Sequence, residues 1–306
     1  MAGINWTGTD EADRKVGTNE ADVLDGGKGD DEILSGAGDD QIEGGRGNDA
    51  IYGGTGNDQI TDEDLDNTTS NEQALYGEGG DDVITGGGSL DGGDGNDTIN
   101  YTEVGNDYWG GRVLGGEGND TINVTADVNF VLGGAGDDTI TIEDAGVYYI
   151  EAGDGDDKVT ISGSSNSDNR YYETFDTRLN AGDDTLDVSD WSGKTTDTLS
   201  ADGGDGDDTY IGRDVTKTNN SYDQFYGGEG SDSMTGGYAD EAFYGGADED
   251  VLIGNGGDDI LDGGDGDDEI SGGDGSDTIT GGDGSDTISG GDGSDTITGG
   301  DGPDTI

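Results

Sequence analysis

From Gly272 to the end the chain reads GGDGSDTIT, GGDGSDTIS, GGDGSDTIT and GGDGPDTI, a nine-residue row repeated until it stops one residue short at Ile306. Glycine fills places one, two and four, aspartate place six, and isoleucine place eight. Glycine reaches backbone angles closed to other residues, so places one to five turn. Places seven to nine alternate polar, apolar, polar, as in Thr278, Ile279 and Thr280. That pattern spells a short strand with one side chain inward.

The period extends outward from this stretch. Gly227, Gly236, Gly245, Gly254 and Gly263 open earlier rows in the same phase. Near the other end, Gly26, Ser35, Gly44 and Gly53 open GGKGDDEIL, SGAGDDQIE, GGRGNDAIY and GGTGNDQIT. Two weaker rows precede them, GTDEADRKV from Gly8 and GTNEADVLD from Gly17, the first with Lys15 at place eight. Residues 62–226 lose the phase. Even so, Asp82, Asp97, Asp120, Asp138, Asp157, Asp184, Asp208 and Asp232 each follow a glycine-rich turn, at separations of 15, 23, 18, 19, 27, 24 and 24. Two rows make 18, so each separation reads as one coil of a solenoid. One glycine–aspartate corner is kept, and loops such as 162–170 and 190–196 replace the other. The expected fold is all-β, a right-handed parallel β-roll or β-helix solenoid. Its segments are an N-terminal roll over 1–61, a wider irregular β-helix over 62–226 and a regular roll over 227–306.

Composition narrows the function. The 306 residues hold 67 glycines and 1 proline, which excludes collagen. Acidic residues number 74 against 11 basic ones, a net charge of −63, so phosphate-rich nucleic acid is not an expected partner. No apolar run is long enough to span a membrane, and Met1 to Gly17 carry no signal-type apolar core. Cysteine and histidine are absent, which removes disulfides, Cys/His zinc sites and imidazole-dependent triads. Charge and low hydropathy alone would place the chain among disordered proteins, but the phased glycines contradict that.

The rows resemble the GGxGxDxUx nonapeptide of the RTX (repeat-in-toxin, haemolysin-type) family, in register over 8–61 and 227–306 and at one corner per coil between. The resemblance implies multiple calcium ions held in the glycine-rich turns. Carbonyl and carboxylate oxygens are the hard donors that calcium prefers, and a cation between stacked aspartates reverses the sign of their interaction. The place-six aspartates are the expected ligands: Asp31, Asp40, Asp49 and Asp58 at the N-terminal end, the eight aspartates of the middle, then Asp250, Asp259, Asp268, Asp277, Asp286, Asp295 and Asp304. Carried onto one site, the family pattern implies carbonyls of Gly273 and Gly275 with the Asp277 carboxylate from one turn. The next coil would add carbonyls of Gly290 and Asp292 and the Asp295 carboxylate, each aspartate being shared between two ions. Glu241 at place six, and Asp248, Glu11 and Glu20 at place four, depart from the pattern.

Other signals have plainer readings. Asp62, Asp64, Asp66, Asn67 and Gln73 half-resemble an EF-hand loop but lack its glycine and closing glutamate. Thr278, Thr280, Thr287, Thr296 and Thr298 would form outward rows of the kind an ice-binding face uses, and threonine is also an ordinary exposed strand residue. Tyr101, Tyr108, Trp109, Tyr148, Tyr149, Tyr171, Tyr172, Trp191 and Tyr222 suit a carbohydrate or partner surface, or packing in wider coils. Arg112, Lys158, Arg170 and Arg178 could serve a β-helix lyase, but nothing places them in a cleft, and no enzyme is expected.

The expected function is a secreted calcium-binding structural protein of the bacterial cell exterior, in a surface layer, matrix or fibre, that folds on binding calcium. The family resemblance implies type I secretion, with a signal after the repeats, which would make this chain part of a longer one. The alternative is a folding and secretion module of a larger toxin, adhesin or enzyme. Expected partners are calcium and either an extracellular surface or a second copy in end-to-end contact, without membrane insertion.

Overall fold

A computed structural model of the chain describes residues 2–62, 73–102, 111–164, 174–192, 198–214 and 222–306. They form thirty strands, and among the described residues no helix is long and apolar enough to cross a membrane. The chain divides into two compact units, Met1–Val147 and Tyr148–Ile306.

Within each unit, successive strands go alternately to two sheets, and the strands of each sheet pair in parallel. In the first unit one sheet runs from Asn5–Thr7 through Val23–Lys28 and Gln41–Arg46 to Thr139–Glu143. The other runs from Arg14–Val16 through Glu32–Ala37 to Val128–Ala135. In the second unit one sheet runs from Val147–Asp154 to Thr296–Asp301 and the other from Lys158–Ser162 to Thr287–Gly293. This is the parallel β-roll solenoid that the nine-residue period predicts.

Register follows place eight. Leu24 lies opposite Ile42 and Ile42 opposite Ile60, while Ile33 lies opposite Ile51. The irregular middle keeps the register: Ile51 meets Leu75, Leu75 meets Leu90 and Leu90 meets Val113, although unequal numbers of residues intervene. An insertion that leaves and re-enters at a corner adds little closure entropy and leaves the strands undisturbed. The inward residues are buried almost completely, one per strand in rows such as those of Ile33 and Ile279 and two per strand at places such as Ile99 with Tyr101 and Ile140 with Ile142. In the second unit aromatic rings add to that core. Tyr210 stacks on Phe225 with centroids 5.0 Å apart and meets Phe243 edge-on at 5.5 Å. Lys15 interrupts the column, with its ammonium over the Trp6 ring.

Of the aromatic residues singled out above, Tyr101 and Trp191 pack inside, whereas Tyr148 is exposed. Tyr108, Trp109, Tyr171, Tyr172 and Arg170 lie outside the described residues. The outward threonine rows are shallow. Thr278 and Thr280 lie opposite Thr296 and Thr298, but one coil earlier the same places hold Ile260 and Asp262.

Candidate metal centre

The turns are shaped by backbone angles that only some places can hold. In the row from Gly26, places two and four are left-handed, with φ of 98° at Gly27 and 106° at Gly29. Asp248 at place four and Asn255 at place two keep that geometry, with φ of 76° and 69°. Such angles are costly for a residue with a β-carbon, so the fold around them must impose the turn. The two first rows differ. There Thr18 Oγ1 accepts the Glu20 amide and the turn takes another path.

Each turn delivers its aspartate to a column that runs along the solenoid. In the first unit, the amide of Asp40 donates to Asp58 Oδ1, Asp58 to Asp82, Asp82 to Asp97, Asp97 to Asp120 and Asp120 to Asp138, at 2.6–2.8 Å. In the second, Asp157 donates to Asp184, and the series continues through Asp208, Asp232, Asp250, Asp268 and Asp286 to Asp304. The opposite corner carries a shorter column in each unit: Asp31 donating to Asp49, and Glu241 to Asp259, Asp259 to Asp277 and Asp277 to Asp295. The sequence-predicted aspartates therefore divide between two corners, with neighbouring rows on opposite sides.

With Oδ1 held by an amide, the other oxygen decides the chemistry. Oδ2 of Asp31, Asp58, Asp82, Asp97, Asp120, Asp184, Asp208, Asp232, Asp250, Asp268, Asp277 and Asp286 is buried without a hydrogen-bond donor. A buried carboxylate oxygen in that state is costly unless a cation meets it. Burial pushes the Asp82 and Asp208 carboxyl groups up from the usual range, to about 7 and about 8. A carbonyl from the next coil faces the same point. A β-carbon placed on Gly53 would stand 2.6 Å from Asp58 Oδ2 and 2.8 Å from the Gly77 carbonyl oxygen. At the site carried over from the family, Asp277 Oδ2 and the Gly290 carbonyl converge in the same way beside Gly272. The Gly273 and Gly275 carbonyls point at Gly291 and Gly293 one coil on, and Asp292 lies in register with Asp274. Among the described residues no three acidic side chains gather around one point, so carbonyls must supply much of any ligand set. Mixed carbonyl and carboxylate oxygen donors fit calcium.

The departures from the pattern have a visible consequence. At Asp13 and Asp22 the second carboxylate oxygen is taken by the amides of Thr9 and Thr18, at 2.7 and 2.6 Å, so a protein donor stands where the other turns leave an oxygen bare. Glu241 holds its place in the second column and is fully buried. Asp64, Asp66 and Asn67 lie outside the described residues, while Asp62 is buried and its carbonyl accepts the Gln73 amide.

Sequence reasoning missed two features. Asp223 stands opposite Glu241 and belongs to the second column. Its position 18 residues before Glu241 was the signal. Place five forms an exposed ladder of the opposite sense, in which the amides of Asn96, Asn119 and Asp137 donate back to Asp81, Asn96 and Asn119. Asp, Asn and Ser share this place, which hides it from a search for one residue type.

The cradle makes a prediction. Gly53 is not in the left-handed region, so Gly53→Ala adds no backbone strain, and Ala152 already carries a β-carbon at the equivalent place. Its methyl should fill the space between Asp58 Oδ2 and the Gly77 carbonyl. Native mass spectrometry in calcium is expected to count fewer ions than in the parent chain; an unchanged count would show that the cradle holds none.

A search of curated proteins finds no match for this chain. The profile described as the RTX calcium-binding nonapeptide repeat (4 copies) matches residues 7–42, 31–60, 112–141, 217–237, 235–270, 244–279 and 271–306. These matches cover more than half of the chain, and with turns of this geometry the protein belongs to the RTX calcium-binding nonapeptide repeat family.

Proposed function

We propose that this calcium-binding repeat protein is a structural component of the bacterial cell exterior, in a surface layer, matrix or fibre, secreted unfolded by a type I route and folded by calcium outside. The observation that carries the reading is the repeated bare oxygen: coil after coil buries an aspartate Oδ2 against a carbonyl of the next coil. A core one or two side chains wide gives such coils little stability of its own, so metal binding becomes folding free energy. Calcium sites of extracellular modules work at about 10⁻⁴–10⁻³ M, a concentration that distinguishes outside from inside. The ligands are the place-six aspartates of both columns, with each carboxylate shared along its column. On this reading the chain is no enzyme, since its buried carboxylates are tied into ladders. It meets other copies end to end.

Immunogold labelling of intact cells of the source organism tests the placement and the assembly together. Label on the outer face, in rows or sheets, is expected. Label confined to the interior would overturn the placement, and isolated external particles would overturn the end-to-end contact.

A further inference from the structure

One cation of this acidic chain lies wholly inside it. Arg213 is completely buried, and so is its partner Asp223. Arg213 Nε donates to Asp223 Oδ2 at 2.9 Å and Nη2 to Oδ1 at 3.3 Å, while the guanidinium lies 3.9 Å from the centre of the Trp191 ring. By register Asp223 is a column residue, opposite Glu241, in line with Asp259, Asp277 and Asp295. Its Oδ1 accepts the amide of the preceding coil at Leu199, as the other aspartates accept theirs. Its Oδ2, the oxygen left bare elsewhere, meets the guanidinium. The sequence of this row departs from the glycine pattern, since residues 213–222, which precede Asp223, include no glycine. An organic cation meets the oxygen that is left bare in the other column aspartates.

We infer that Arg213 is a built-in substitute for calcium at the head of the second column, and that the coils around it are the most calcium-resistant part of the chain. The inference rests on the calcium-dependent folding proposed above. A second observation supports it independently. These coils gather several aromatic rings in their core: Phe175 meets Trp191 edge-on at 4.8 Å, and Tyr210, Phe225 and Phe243 form the cluster described above. Each such ring buries roughly 150–250 Å². The C-terminal rows bury a single leucine or isoleucine each: Leu261, Ile270, Ile279 and Ile288. A buried guanidinium stacked on an aromatic face and forked onto a carboxylate is a strong, fixed pairing that no chelator removes. Calcium stabilises each segment by mass action, so a segment with more stability of its own survives to lower free calcium. As calcium rises, these coils would order first and offer a template to their neighbours.

Hydrogen–deuterium exchange of the full chain, across buffered free-calcium concentrations, tests this. Peptides from 199–211 and 223–244 are expected to keep protection to about tenfold lower calcium than peptides from 260–301. In Arg213→Gln, folded at saturating calcium, that gap should close, while Arg213→Lys should keep part of it. Loss of protection in 199–244 together with or before 260–301 in the parent chain overturns the inference and leaves calcium-dependent folding intact. A gap unchanged in Arg213→Gln assigns the resistance to the aromatic core and overturns the role of Arg213. Full protection of every peptide in excess chelator would instead overturn calcium-dependent folding itself. If Arg213→Gln does not fold at saturating calcium, the order of loss in the parent chain decides.

Discussion

Excess chelator should abolish most of the β signal of the full chain in circular dichroism, and returning calcium to the millimolar range should restore it. The expectation follows from two opposed quantities in each row. Burying one isoleucine or leucine stabilises a row by about 1.5–3 kcal/mol. Two aspartates one strand spacing apart, about 4.8 Å, repel by about 3 kcal/mol at the effective dielectric of a protein margin. The repulsion recurs at every step of columns such as Asp250, Asp268 and Asp286, so the apolar gain of a row is consumed before its backbone is ordered. A divalent ion between the carboxylates turns the repulsion into attraction and supplies the missing partner of Oδ2. Magnesium should substitute poorly, because it requires near-ideal octahedral geometry and gives up its water reluctantly. A circular dichroism spectrum that is the same in chelator and in calcium would show that the side-chain core suffices.

Much of this architecture was legible in the sequence because the decisive signals are periodic. Place eight alternates with polar neighbours, which assigns Ile42, Ile60, Ile270 and Ile288 to the core, and all four are buried. Aligning the aspartates recovered the column through the irregular middle, where insertions had destroyed the nine-residue phase. What escaped was aperiodic. Arg213 is a single basic residue after a single glycine, and nothing local announces that Asp223 waits ten residues later to meet it. The departure at place four looked damaging at Asp248, yet Asp248, like Asn255 at place two, adopts the glycine conformation because strands on either side fix the turn. At Glu20, by contrast, Thr18 offers its hydroxyl to the turn, and the local alternative wins. A substitution in one row is therefore read correctly only beside the rows above and below it.

Acid should do part of the work of calcium. Burial raises the folded-state pKa of seven column carboxyls, to about 6 at Asp58, Asp97 and Asp232, and to about 7 at Asp120, Asp184, Asp250 and Asp259. In the unfolded chain the same groups titrate near the ordinary aspartate value of about 3.9. Between these values the folded state binds protons that the unfolded state releases, so metal-free stability is present at low pH and is lost as pH rises through about 6–8. Chelated protein at about pH 5 should therefore recover β signal that is absent at about pH 8, since protonation removes both the repulsion along the column and the cost of a bare buried anion. Calcium and protons compete for the same oxygens of the folded chain, so calcium added to chain already ordered by acid should release protons. Circular dichroism of chelated protein from about pH 8 to about pH 5 measures the effect. A metal-free chain no more ordered at the acid end would show that neutralising the columns is not enough and that calcium acts by drawing carbonyl and carboxylate oxygens of neighbouring coils together.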